Sequence, residues 1–387
     1  MIRTPEAEWL HPLIEWMQRA QEGLLGLLAS IGLAGTSHGQ PAWPWALRLS
    51  GENLLVDAGQ AQRAALTLLV LAIAALAVLL AGLWRKPRWY LIAAVPLLVV
   101  AAPWPEPRVL FVPALPTSFH RSPTGFGAAS IARGGELYAQ HCVACHGTDG
   151  RGQGPLAATQ PVWPPDLAGP LLWRRADGDL LWHLLHGMKD RHGAATMPAF
   201  AQLGDGDAWA LIDFLKAQAA GQGLRATGAW TGPVGLPDVE VRCEGRAPRP
   251  LASWRGQRLR IVAVGQPDAA LREDPRVVTV LLRREDDTAP GPQAECIAAS
   301  TAAWTAFSLI AGTDQLAGTQ WLADRDGWLR ALGSPERAGW SEDDLLCRTD
   351  ARDRGAPPLP PGAGLGALIA RMDAEPVRFL KGGFVAH

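Results

Sequence analysis

Apolar positions recur with three different rhythms along the chain. From Leu66 to Leu83 the run is unbroken, extended backwards by Ala64 and Ala65, and carries no charge. It is long enough to cross a hydrocarbon core and lacks the polar stripe of a surface helix, so it predicts a membrane span over about 63–84. Trp84-Arg85-Lys86-Pro87-Arg88-Trp89-Tyr90 follows, and cations set between aromatics read as a short cytoplasmic loop with interfacial anchors. A shorter apolar run containing Pro96, Tyr90 to Ala102, predicts a second span over about 89–103 and closes a helical hairpin. Upstream, Trp9, Leu10, Leu13, Trp16 and Met17 recur at helical spacing, and Gly23 to Gly35 is apolar after Glu15, Arg19 and Glu22. That segment reads as a span over about 13–35 or as an interfacial helix. Its interspersed acidic residues set it apart from a signal peptide. With the Arg-rich loop inside, residues 36–61 and everything after about 104 lie outside.

After the spans the pattern changes. Residues 105–128, within a Pro-, Ser- and Gly-rich stretch that opens at Pro103, read as an extended linker. Residues 129–221 begin and end with helical periodicity: Ile131, Leu137 and Tyr138 after a candidate cap at Ser130, then Trp209, Leu211, Ile212, Phe214 and Leu215 after a candidate cap at Asp205. A Gly-rich break covers about 221–237. The remainder, 238–387, mixes strand-like and helix-like segments. It has a strand near Leu259–Val264, a second at Val277–Leu282, a helix through Trp304–Ile310, and a hairpin turning at Asp324-Arg325-Asp326-Gly327.

Composition narrows the classes. A formal charge of −1 over 387 residues gives no electrostatic case for binding nucleic acid. With 48% hydrophobic and 19% charged residues the chain is not intrinsically disordered. A mean hydropathy of +0.04 fits a few spans carrying a polar body. Five cysteines do not make a disulfide framework. Two of them, however, stand in Cys142-Val143-Ala144-Cys145-His146, the attachment motif of a c-type haem. Thiols three positions apart add to the two vinyl groups along one macrocycle edge, and the following His lies beneath the iron as an axial ligand. A helix-like stretch precedes the motif where a thioredoxin-like Cys-x-x-Cys would have a strand, and no second pair follows at zinc spacing. For the far face of the iron, Met197 in Thr196-Met197-Pro198 leads, since a thioether raises the potential and a Pro stiffens the loop. Met188, His186 and His192 compete with it. His183 and His186 share a helix face as a conceivable separate metal pair, and Arg174 and Arg175 are candidate propionate partners.

On these residues 130–220 resemble a class I cytochrome c domain. The matching stretches are Gly134-x-x-Leu137-Tyr138, the Cys142–His146 motif, Gly152-x-Gly154-Pro155, His186-Gly187-Met188 and Met197-Pro198-x-Phe200. The resemblance implies one covalent haem c, a crossing of the first and last helices at Gly134 and Tyr138 near Trp209, and a Pro155 carbonyl that holds the His146 ring.

Residues 9–128, including Pro116 to Phe126, resemble the membrane region of CopD-type (copper-resistance D) proteins, with fewer spans than a full region of that type. That resemblance implies copper as a second cofactor and makes His11, His38 and His120 candidate ligands. The order of elements in 238–387 resembles a thioredoxin-like fold of the peroxiredoxin or membrane-tethered thiol-reductase type. Gly265-Gln266-Pro267-Asp268 stands where its Cys-x-x-Cys would be, so the domain reads as degenerate, without dithiol catalysis. Cys243, Cys296 and Cys347 allow one disulfide whose pairing the sequence leaves open. The expected whole is multi-domain: an α-helical membrane segment, an all-α cytochrome c domain and an α/β thioredoxin-like domain. The expected function is electron transfer at a bacterial inner membrane, with the haem facing the periplasm, and with membrane lipid and a redox protein as partners. Copper handling with the cytochrome as redox helper is the alternative.

Overall fold

The computed structural model describes residues 10–51, 54, 57–84, 86, 88–265, 274–286, 294–333, 340, 345–346, 364–377, 379–380 and 384–385. The chain divides near residue 120 into two compact units.

In the first unit, α1 (Leu10–Ser30) buries Leu10, Ile14 and Leu25 and leaves Trp16, Leu24 and Leu27 exposed. Its buried Gln21 takes up the Leu49 backbone groups: Nε2 donates to the Leu49 carbonyl (3.0 Å) and Oε1 accepts from the Leu49 N–H (2.7 Å). Strands β1 (Thr36–Ser37) and β2 (Gln40–Pro41) turn through His38 and Gly39, both at positive φ. Strand β3 (Leu47–Leu49) waits for β4 (Phe111–Pro113), its antiparallel partner beyond the helical pair. Helix α2 (Ala58–Leu83) starts earlier than the apolar run suggests, because Asp57 accepts from the Gln60 N–H and caps it. Gly59–Leu83, whose most apolar 18-residue window has mean hydropathy 2.9, is among the described residues the one helix long and apolar enough to cross a membrane. Helix α3 (Arg88–Ala101) has 14 residues, contains Pro96, packs on α2 and buries none of its own residues. The short α4 (Pro107–Leu110) leads into β4.

In the second unit, α5 (Ala128–His141) runs into the single turn α6 (Val143–His146). Helix α7 (Asp177–His186), the strand pair β5 (Met188–Lys189) and β6 (Ala195–Met197), and α8 (Gly204–Thr227) follow. Both expected caps are displaced. Helix α5 starts after Gly127, and the Ser130 hydroxyl donates to Asp213 on α8 (2.7 Å). Helix α8 starts after Leu203, with Asp205 in its first turn. The crossing of α5 and α8 falls at Gly134, where a Cβ would overlap the Ala210 carbonyl beside Trp209. The Gly-rich stretch after 220 is not a break at its start. Helix α8 continues to Thr227 and stops at the left-handed Gly228. Gly221 is small because the Leu309 carbonyl lies against it, and Gly223 because a Cβ would stand 2.5 Å from Thr231 Cγ2.

The rest of this unit is an eight-stranded mixed sheet. In chain order its strands are β7 (Val234–Gly235), β8 (Glu240–Cys243), β9 (Arg249–Pro250), β10 (Leu259–Ala263), β11 (Val278–Arg283), β12 (Cys296–Ala299), β13 (Gln320–Ala323) and β14 (Trp328–Gly333). Across the sheet they run β7-β14-β13-β10-β11-β12-β8-β9, with β10, β11 and β12 parallel and every other neighbour antiparallel. Helix α9 (Thr301–Ala311), capped by Ser300, lies between β12 and β13 in the chain. The Asp324 carboxylate turns the β13–β14 hairpin by accepting from the Asp326 and Trp328 N–H groups (3.0 and 2.9 Å). Arg330, 0% exposed, donates to Asp324 and to the Met372 and Glu375 carbonyls, which ties α10 (Gly364–Ala374) to the sheet. One apolar core joins both halves of the unit: Ala128 and Ile131 of α5 and Ala217 and Ala220 of α8 cluster with Phe307, Ile310 and Trp321. The Trp230 indole N–H donates to the Ile310 carbonyl across that seam (3.2 Å).

Candidate functional site

Helix α5 hands over to α6 at Cys142, whose N–H still donates to Tyr138. The Cys145 and His146 N–H groups then both donate to the Cys142 carbonyl (3.2 and 2.9 Å). The motif is therefore one helical turn, with its thiols at i and i+3 on one face. The chain wraps back over this turn. Gly152, Gly154 and Leu156 donate in succession to the carbonyls of His146, Cys145 and Ala144 (2.8, 3.1 and 2.8 Å). A Cβ at Gly154 would collide with the Ala144 carbonyl, and one at Gly152 with that of Pro164. The wrap is held from outside by the Tyr138 hydroxyl on the Gly147 carbonyl (2.7 Å) and by Gln218 Nε2 on that of Thr148 (2.8 Å).

Cys142 and Cys145 are unpaired, half-buried thiols. Burial, reinforced by Cys145, pushes Cys142 up to about 11. That direction disfavours the thiolate, whereas a dithiol built for disulfide exchange is shifted the other way. His146 is lowered by burial, which favours the neutral, metal-ligating ring. The backbone carbonyl that opposes the shift belongs to Pro165. The expectation for Pro155 is corrected: that residue lies in the wrap, and the chain must run ten residues further before it reaches the imidazole. Nδ1 is nevertheless buried with no partner inside hydrogen-bond geometry, so burial sets the direction.

The structure brings Cys142, Val143 and Met197 to the border of one apolar cluster, which contains Leu137, Leu172, Leu181, Leu185 and Trp209. Met197 stands on β6 directly opposite Met188 on β5. The two histidine competitors are exposed. His186 stacks on Trp182 (centroids 3.7 Å apart), and His192 accepts from Arg191 Nε (2.9 Å). His183 is half-buried, and burial lowers it, with Arg175 pushing the same way. The Arg174 side chain lies outside the described residues, as do the His11 side chain and Cys347. Among the described residues no three His, Cys, Asp or Glu side chains gather to hold a metal ion.

Two features escaped the sequence reading. Asp213, placed between Ile212 and Phe214, is buried in the crossing of α5 and α8 and accepts from the Thr124 and Ser130 hydroxyls. Burial pushes it up to about 6 against those bonds and the Lys216 charge. Its signal was visible as a lone acid in an apolar helix. The second is the pairing of the disulfide that the three cysteines allowed: Cys243 on β8 and Cys296 on β12 face each other in register and are bonded.

Residues 129–215 match the family model described as Cytochrome C oxidase, cbb3-type, subunit III. The match covers less than a quarter of the chain and identifies that region as a cytochrome c domain. No curated protein matches the chain. A cytochrome c domain implies covalent haem c, haem-based electron transfer and an extracytoplasmic location. The residues present fit that group: two free thiols on one face of a turn, a histidine kept neutral by burial, and an all-backbone wrap that no larger residue would permit.

Proposed function

We propose that this chain is a membrane-anchored electron carrier whose cytochrome c domain faces the periplasm and passes single electrons. Cys142 and Cys145 would hold haem c by thioether bonds, and His146 and Met197 would ligate its iron. The observation that carries the reading is the Cys142–His146 turn, free-thiolled and closed over by the Gly152–Gly154 wrap. When bound, haem c supplies an iron that exchanges one electron. The protein's own part is electrostatic and steric. The neutral His146 ring provides a nitrogen lone pair, the Met197 thioether favours the ferrous state, and the surrounding leucines keep water and its high dielectric away.

The anchor reading is supported by α2, whose Leu69, Leu79 and Leu83 are exposed along a charge-free surface, and by Trp84 and Trp89 at the loop between α2 and α3. The thioredoxin-like reading of the sheet is supported by the run β11-β10-β13-β14, two parallel strands followed by two antiparallel ones. Cys243 and Cys296 are bonded to each other in the core, which favours a structural or docking role over thiol catalysis for that pair.

The test is to produce the chain in a host that matures c-type haem, fractionate the cells and record oxidised and reduced spectra of the detergent extract. Haem that stays with the denatured polypeptide, a c-type reduced spectrum and a thioether-to-ferric charge-transfer band in the membrane fraction are expected. A Cys142→Ala/Cys145→Ala variant loses the covalent haem. Haem-free protein from the unaltered chain would overturn the reading, and haem protein in the soluble fraction would overturn the anchor.

A further inference from the structure

We propose that Met188 is a second thioether on the distal side of the haem, standing beside Met197 and taking its place as the axial ligand when Met197 is removed. The inference rests on the reading that Met197 is that ligand. What it adds comes from the register of one small ladder. Met188 and Met197 are direct partners in the antiparallel pair of β5 and β6. Directly opposed residues project to the same face of a sheet, with Cβ atoms about 4.5–5.5 Å apart. If one thioether faces the iron, the other faces the same way from the neighbouring strand. Both residues are half-buried. A methionine side chain has three rotatable bonds and a polarizable sulfur, enough reach to cover that separation without moving the backbone far.

The ladder is stiff. Its loop is closed by the Asp190 N–H on the Ala194 carbonyl (2.9 Å) and by Asp190 Oδ1, which accepts from the His192 and Ala194 N–H groups (2.8 and 2.9 Å). At the other end, Gly187 takes a positive φ, and a Cβ there would stand 2.6 Å from the Met197 carbonyl oxygen. That close approach presses β5 against the Met197 backbone and sets Met188 next to it. The register shift that follows Met188 turns Lys189 out of step, so the pairing with Met197 is confined to this one residue. His186 and His192, the other side chains nearby with ligand chemistry, are occupied at the surface by Trp182 and Arg191.

The experiment uses the full chain matured with haem, in the unaltered form and as Met197→Ala, Met188→Leu and the double variant. Met197→Ala is expected to keep a weakened thioether-to-ferric band and a reduction potential between those of the unaltered protein and the double variant. The double variant loses the band. Met188→Leu alone keeps it. A Met197→Ala protein indistinguishable from the double variant would overturn the proposal and leave the Met197 assignment standing. Loss of the band in Met188→Leu would instead make Met188 the resident ligand and overturn both. An unaltered protein with no thioether band also overturns both. A measurement on the unaltered protein does not depend on the variants folding. In the reduced, diamagnetic state, proton spectra should show two methionine methyl signals displaced upfield by the ring current of the macrocycle, and a single displaced methyl counts against Met188.

Discussion

Asp213 shows how a single side chain sets local conditions. Its carboxyl is held up at about 6, above the value an unfolded chain would give it, so the folded state binds the proton more tightly. The resulting stability is fully present below about pH 4 and is lost as pH rises through about 6. A shift of roughly two units is worth about 3 kcal/mol. Asp213→Asn keeps an acceptor for the Thr124 and Ser130 hydroxyls and cannot titrate. Denaturant unfolding of both proteins at about pH 4 and about pH 7 should show the wild type losing up to about 3 kcal/mol relative to the variant; equal changes in the two would refute this. The Cys142–His146 turn was legible at this scale because the attachment proposed for it, two bonds to one macrocycle edge and one to its iron, demands near-consecutive residues. The partners of that turn were not. The Pro165 carbonyl comes to act on His146, short of a hydrogen bond, only after the loop has folded back, and Ser130, a good cap in isolation, spends its hydroxyl on Asp213 instead.

Among elements, periodicity foretold what is long or alternating: α2, α5, α8, β10, β11, α9 and the β13–β14 hairpin. It did not foretell β7, β8 and β9, which have two to four residues and exist only because a neighbouring edge accepts them. Helix α8 was cut short in the reading because Gly221 and Gly223 look like a break; they are instead close-approach positions facing Leu309 and Thr231. The bond between β8 and β12 closes a separation of 53 residues. Cys243→Ala/Cys296→Ala should therefore cost about 2–4 kcal/mol, measured by chemical denaturation of the haem-loaded protein. Reductant should produce a similar loss in the wild type and none in the variant.

Over the whole second unit, the cytochrome helices and the sheet draw on one core, with Ile131 and Ala220 packed among Phe307, Ile310 and Trp321. With that core shared, we expect the sheet to be better ordered when the helices are ordered around haem. In the haem-free Cys142→Ala/Cys145→Ala protein, backbone amides of β10 and β13 should exchange with solvent much faster than in the loaded protein. Unchanged protection would show that the sheet stands alone.

Helix α8 carries a consequence for how such a chain can be recombined. A graft that replaced the cytochrome at its Gly-rich edge, near residue 221, would sever a continuous helix and leave the Leu309 carbonyl facing a foreign side chain where Gly221 now lies. Interchangeable cassettes need a seam crossed by few contacts, and here the seam runs through a continuous helix and a shared apolar core. The electron-carrying half and the sheet are heritable as one piece.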